Sequence, residues 1–194
     1  MDDERATFGR TRRRAKPLDR TRLEELAVGY VARFATSGGK LKAYLQRKIR
    51  ERGFVEEEEP DVGGIVERFA AKGYVDDEAY GRAKASDLAA RGFGARRVEQ
   101  ALHAAGIGDG LRQALAPAES ERRSAVLVLA RKRRFGPFST NGDTGPDELR
   151  KLKEKQLAAM VRAGHEFDHA RRVVEARSIE ELEQWVAETQ DEPE

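Results

Sequence analysis

The chain has 194 residues, of which 39% are hydrophobic and 37% charged, with no cysteine and a formal net charge of +2. So few apolar residues and so much charge argue against one dense core and for thin modules with much surface. The missing thiols exclude disulfides, cysteine-ligated metals and cysteine nucleophiles. No apolar stretch reaches membrane-spanning or signal-peptide length, so a soluble, cytoplasmic protein that does not engage membranes is expected.

The charge is uneven along the chain. Residues 178–194 hold seven acids and no Lys or Arg; without them 37 basic residues face 28 acidic ones, a net charge of +9. A basic body with an acidic tail favours nucleic acid or an acidic protein as partner, against the plainer reading of a solvated, salt-bridged helical surface.

In chain order, residues 1–17 read as a disordered basic arm, with Arg10, Arg12, Arg13, Arg14 and Lys16 close together before Pro17. Helical periodicity starts at Asp19 and runs through Leu23, Leu26, Ala27, Tyr30, Val31 and Phe34 to the break at Ser37-Gly38-Gly39. Leu41, Leu45 and Ile49 mark a second helix that stops at Gly53, and Ile65, Val66, Phe69 and Ala70 a third that ends near Gly73. Between them lies an acidic loop, Glu56 to Asp61.

Asp76 or Asp77 caps the next helix, with Tyr80, Ala83 and Leu88 expected inward, until the break at Arg91-Gly92-Phe93-Gly94. Val98 and Leu102 anchor the helix that follows, and Leu111 and Leu115 a short one after Gly106. After Pro117, with Glu119 or Ser120 near the cap, Val126, Leu127, Leu129 and Ala130 lead into Arg131-Lys132-Arg133-Arg134-Phe135. The stretch 136–146 reads as a mobile loop. Helix resumes through Leu149, Leu152, Leu157 and Met160 to Gly164, and Phe167, Ala170, Val173 and Val174 follow. Ser178-Ile179-Glu180-Glu181 has the form of a capping box before a last helix bearing Leu182, Trp185 and Val186. Period-2 alternation never persists, so no strand is expected.

A pattern recurs three times: a helical run with an apolar anchor, a Gly four residues later, then a bulky residue. The copies are Ile49…Gly53-Phe54, Leu102…Gly106-Ile107 and Met160…Gly164-His165. Self-similarity at this period means stacked supersecondary units, which present extended binding surfaces more often than catalytic pockets. The expected organisation is all-α: a curved or elongated tandem array of three three-helix repeats at 18–73, 74–117 and 118–177, the last carrying the loop 136–146, followed by an acidic helix and tail at 178–194.

Residues 73–107 then carry a resemblance. Gly73-Tyr74-Val75-Asp76-Asp77, Arg91-Gly92-Phe93-Gly94, and Arg97-Val98 through Leu102 to Gly106-Ile107 closely resemble, in order and spacing, the RecX family of bacterial recombination regulators. The flanks match more loosely, from Leu45 to Phe54 and from Leu152 to Gly164, so the likeness spans roughly 20–176. It implies a curved array of three-helix repeats, binding to the RecA recombinase filament and to DNA, damping of RecA activity in DNA repair and recombination, and neither a catalytic residue nor a cofactor. Three departures stand out: Lys40 where the family has an acid, His165 where it has an aromatic residue, and the additions at 136–146 and from Ser178.

His165-Glu166-Phe167-Asp168-His169 fits H-E-x-x-H, the signature of zinc hydrolases. That chemistry needs both His on one helical face. Here His165 follows a helix-ending Gly, so the expectation is no metal and two partly exposed His at a helix start. Arg131, Lys132, Arg133 and Arg134 form the densest basic run and are candidates for phosphate or filament contact, the alternative being a solvated helix end. Arg96-Arg97 and Arg171-Arg172 suggest a basic stripe across repeats, and Arg12, Arg13 and Arg14 a sequence-independent tether. Asp76-Asp77 reads as caps before it reads as an acid–base pair, Gly92-Phe93-Gly94 as a turn before a phosphate loop, and Trp185 as packing for the terminal helix. The expected function is a monomeric, non-catalytic regulator of the RecA–DNA filament with weak, sequence-independent DNA affinity. The alternative is an independent DNA-binding protein of helix-turn-helix type.

Overall fold

The computed structural model describes residues 16–139 and 145–189. Ten α-helices occur among them: α1 (Arg20–Val31), α2 (Gly38–Arg52), α3 (Val62–Ala71), α4 (Asp77–Ala90), α5 (Ala95–Ala104), α6 (Asp109–Ala114), α7 (Glu119–Arg133), α8 (Pro146–Arg162), α9 (Phe167–Glu175) and α10 (Ile179–Ala187). The described residues contain no strand; an isolated parallel bridge joins Leu18 to Phe54.

Side-chain oxygens open five of the helices. Asp19, Ser37, Asp61, Asp76 and Ser178 each accept from the amide three residues on, which satisfies one of the orphan N–H groups of the first turn. The two adjacent acids divide the work. Asp76 caps its own helix α4, while Asp77 accepts from Gly38 N at 2.8 Å and serves the start of α2. The expected cap of α7, Glu119 or Ser120, is instead Ala118, whose N–H is taken by Glu121 at 2.9 Å. Glu119 is thereby left for other contacts.

Buried apolar residues gather in three clusters. Leu18, Leu23, Leu41, Leu45, Ile65 and Phe69 centre the first, between α1, α2 and α3. Leu88, Val98, Leu102 and Ile107 centre the second, between α4 and α5. Val126, Met160, Val173, Leu182 and Trp185 centre the third, between α7, α8, α9 and α10. Leu18 is deeply buried, and Lys16 and Pro17, expected within the arm, are held by Arg52 and Arg22 on their carbonyls.

Some residues expected inside face water. Phe34 is 56% and Phe167 55% exposed, because one lies past the end of α1 and the other is the first residue of α9. Ala83 is exposed too. Gly81 is the residue of α4 that abuts Leu115, and Ala83 lies about 200° around the helix from it. The stretch expected to be a loop from Gly136 begins as a docked 3-10 turn, Gly136–Phe138. Gly136 N donates to the buried Gln156 at 3.0 Å, and a Cβ on Gly136 would sit 2.2 Å from Val173 O.

The Gly copies are not equivalent. After α5 and α8 the chain folds back in the same way: Ile107 N bonds Leu102 O, and His165 N bonds Met160 O. Gly53 instead turns the chain toward Leu18, and α2, at 15 residues, outruns the 10 of α5. Gly106 and Gly164, at φ 73 and 95, occupy left-handed backbone and also touch another helix's backbone. Gly106 meets Gly39 at the start of α2, and Gly164 meets Arg97 at the start of α5. Helices α8, α5 and α2 therefore meet end to end.

Candidate functional site

Three helix C-termini converge on one cleft. The end of α4 supplies Arg91 and Phe93, the last turns of α7 supply Leu129, Lys132, Arg133 and Phe135, and the end of α8 supplies Ala159, Arg162 and Ala163. The hollow between them is about 340 Å³. Four of its lining residues are cations and none is an acid. Local geometry explains why. Arg134 takes left-handed backbone, φ 57, and lets Phe135 fold back so that its amide bonds Ala130 O at 2.9 Å. Last-turn cations also complement the negative ends of the helix dipoles, which makes the arrangement tolerable without an anion.

The cations differ in what holds them. Arg91 pairs with Asp87 at 3.4 Å and lies over the Phe93 ring, 5.3 Å from its centre. Lys132, Arg133 and Arg162 are exposed and have no acid in ion-pair range among the described residues. A hollow walled by four cations, three of them fork-shaped guanidiniums, and bordered by two rings offers charge-assisted hydrogen bonds to an anion such as phosphate.

The expected basic residues divide. Lys132 and Arg133 line the cleft. Arg131 turns away to Glu183 on α10 at 2.9 Å and sits 5.5 Å from the centre of Phe138. Arg134 is exposed at the helix cap. Arg96 lines a separate hollow of about 410 Å³ together with Glu99, Asp109 and Arg112, where the charges are mixed. Arg97 is exposed beside Gly164. Arg171 pairs with Asp168 of its own helix at 3.2 Å, and Arg172 with Glu181 of α10 at 3.3 Å. Among the described residues no hollow, hydrogen bond or ion pair joins these two to Arg96 and Arg97: one pair sits in the first turn of α5, the other in the middle of α9. Arg12, Arg13 and Arg14 lie outside the described residues.

Arg91 and Arg162 are the cleft residues that sequence reasoning missed. Their signal is positional: each stands in the last turn before a helix-ending Gly, at Gly92 and Gly164.

The H-E-x-x-H string does not form one helical face, since α9 begins only at Phe167. Both His are buried, at 3% and 9% exposure, against the expectation of partial exposure. The fold-back after Gly164 carries His165 into the corner of α4 and α5, where its Nε2–H donates to Gly92 O at 3.0 Å. Burial pulls its pKa below the ordinary histidine value; the Gly92 carbonyl opposes this, and His169 adds to it. His169 points elsewhere, with Nε2 3.1 Å from Glu119 Oε1 and its ring edge-on to Trp185 at 5.3 Å. Burial raises the Glu119 pKa, but hydrogen bonds from Arg123 and Arg122 and the charge of His169 outweigh it and hold it at about 2. Arg123 also caps Trp185, 4.9 Å from the ring centre and 2.8 Å from its carbonyl oxygen, so α10 is tied to the body. The described residues hold no His/Asp/Glu group arranged to bind a metal, and no helix among them is long and apolar enough to cross a membrane.

No family model matches the chain. A curated relative does: the "Regulatory protein RecX" of Myxococcus xanthus strain DK1622 is 31% identical over 172 residues, covering 84% of this chain and 90% of its own length. Identity sustained over that span, on an all-helical body whose middle part carries the Gly-Tyr-Val-Asp-Asp and Arg-Gly-Phe-Gly turns, settles the kinship: the chain belongs to the RecX family of regulatory proteins.

Proposed function

We propose that this chain regulates a RecA-type recombinase by lying along the filament that the recombinase forms on DNA, with the basic cleft against phosphate. It acts by binding and performs no chemistry of its own. The observation that carries the reading is the cleft, in which Arg91, Lys132, Arg133 and Arg162 face a hollow with no acid in its lining. A duplex presents closely spaced phosphates, and cations that neutralise them release counterions and bind without reading sequence. Family membership supplies the class of partner. The proposed organisation is three units at 18–73, 74–117 and 118–177, acting as a monomer in the cytoplasm beside its recombinase. Weak contacts on successive units then add through effective concentration.

The test is RecA-driven ATP hydrolysis and strand exchange, with and without the chain, over a salt series. Inhibition is expected to fade with salt, by about 0.9 in log affinity per log salt for each phosphate neutralised. Arg133→Glu with Arg162→Glu should weaken inhibition at least tenfold while leaving the circular dichroism unchanged. Arg131→Glu should act differently, through loss of its ion pair to Glu183. Full inhibition by the cleft double variant would overturn the role of the cleft. Tight, sequence-selective binding to duplex without RecA would overturn the filament reading itself.

A further inference from the structure

The first helix group carries a second surface of different chemistry, far from any residue of the cleft in sequence. Helix α2 is the most lopsided in the chain: Lys40, Lys42, Arg47, Lys48, Arg50 and Arg52 against the lone acid Glu51. No two of the first five cations but Arg47 and Lys48 are adjacent, so the sequence shows no run. Glu51 serves both Arg47, at 3.6 Å, and Lys48, at 2.6 Å. Lys42 and Arg50 have no acid partner among the described residues, nor has Arg33 beside α1.

Beside these cations runs a ladder of rings. Tyr44 and Tyr30 stack with centroids 4.2 Å apart and planes 15° apart. Phe34 continues the ladder, 5.4 Å from Tyr30 and tilted 50°. Arg47 and Lys48 lie 5.6 and 5.8 Å from the centre of the Tyr44 ring. The Tyr30–Tyr44 pair locks α1 to α2, and that accounts for two rings. It does not account for Phe34, which is 56% exposed past the end of α1.

We infer that Phe34, Tyr30 and Tyr44, flanked by Arg33, Arg47 and Lys48, form a platform for single-stranded nucleic acid, whose bases stack on the open end of the ladder while its phosphates meet the cations. The two halves of the surface select this occupant together. An acidic protein would need the cations without an exposed ring, and an apolar partner would need the ring without the cations. A single strand presents planar faces and phosphates at once, and stacking on aromatic side chains tolerates any base. A paired duplex hides its base faces, so the platform discriminates single strand from duplex, which the cleft does not.

Fluorescence anisotropy with the full chain tests this, using end-labelled oligo(dT), an abasic oligomer of the same length, and a duplex. The wild type should bind oligo(dT) about tenfold tighter than the abasic strand. Phe34→Ala should erase that difference and leave duplex binding unchanged. Phe34 is exposed, so the variant should keep its fold, and Phe34→Trp should restore the preference. Arg133→Glu with Arg162→Glu should weaken duplex binding and keep the preference for bases over the abasic strand, which separates failure of the platform from failure of the cleft. Equal binding of oligo(dT) and abasic strand by the wild type, or an unchanged preference in Phe34→Ala, would overturn the platform. So would Phe34→Ala weakening capture of RecA in the absence of DNA with oligo(dT) binding intact, because the patch would then be a protein contact.

Discussion

Where α5 ends on α2, Ser37 Oγ donates to Ala105 O at 2.5 Å, Asp77 takes the Gly38 N–H, and Gly39 lies against Gly106 with no side chain between them. Where α8 ends on α5, Gly94 N donates to Ala163 O at 3.0 Å, Arg96 N donates to Gly164 O at 3.2 Å, and His165 reaches Gly92. Both meetings answer the orphan carbonyls of one helix end with donors at the start of the next, and both align the helix dipoles head to tail. The donors differ: a hydroxyl in the first, backbone amides in the second, where the His165 imidazole past the end of α8 also serves the Gly92 carbonyl past the end of α4. What the two share is close backbone approach at a residue without a Cβ. Geometry is repeated here, and residue identity is free to drift around it.

The largest effect should come from filling that approach. Gly106→Val forces a β-branched residue to φ 73, and its Cβ would stand 2.7 Å from Gly39 Cα. Backbone strain and overpacking together should cost about 3–5 kcal/mol. Gly164→Val should match it, with Cβ 2.6 Å from Arg97 N. Gly53→Val is the control: φ is 78, but nothing lies within 4 Å of the added Cβ, so only the strain of about 1–3 kcal/mol applies. Urea unfolding of the three variants checks the order. Equal losses at Gly53 and Gly106 would show that the meeting of α5 and α2 yields easily.

That control also marks where the sequence is legible. The helices and most of their inward stripes follow from periodicity, and Asp76 and Ser178 announce caps by their position, whereas the cap Asp61 is hidden in its acidic loop. The three-fold Gly pattern is visible too, yet Gly53 belongs to it only in appearance. Nothing local tells a Gly that ends a helix in solvent from one pressed against another backbone; the difference lies in a partner 67 residues earlier in the chain, Gly39 for Gly106 and Arg97 for Gly164. The cleft is half legible for the same reason. Lys132 and Arg133 stand in a conspicuous run, whereas Arg91 and Arg162 join them only because α4, α7 and α8 end together. The ring ladder of Tyr30, Phe34 and Tyr44 was invisible because it needs α1 and α2 side by side.

A smaller effect is expected from making the first meeting resemble the second. Ser37→Gly removes the hydroxyl that bonds Ala105 O and accepts from Lys40 N at 3.3 Å. Glycine is a tolerable cap, so most of the loss falls on the buried Ala105 carbonyl, about 1–2 kcal/mol in all. A loss as large as that of Gly106→Val would move the weight of the junction from steric fit to the hydroxyl.

The smallest effect separates the two meetings by pH. His165 is buried and its pKa lies below the ordinary 6.5, chiefly because burial disfavours the cation. As pH falls through 6.5 the unfolded chain takes up a proton that the folded chain refuses, so stability declines, and the decline ends once the folded value is passed. The same drop leaves Ser37, Gly39, Ala105 and Gly106 untouched, since none of them titrates. Hydrogen exchange, corrected for its intrinsic pH dependence, should therefore speed up at the Gly94 and Arg96 amides between pH 7.5 and 5.5 and stay level at Lys40. His165→Phe, which puts an aromatic residue where Phe93 stands after Gly92, should flatten the response. Glu119 acts in another window. Its pKa of about 2 against an ordinary 4.5 gives stability that is full above 4.5 and lost on the way down to 2. It is worth about 1–2 kcal/mol once its one-third exposure is allowed for. A pH response at Lys40 equal to that at Gly94 would mean that the end-to-end helices loosen as one unit, and the contrast between hydroxyl and imidazole would then have no energetic content.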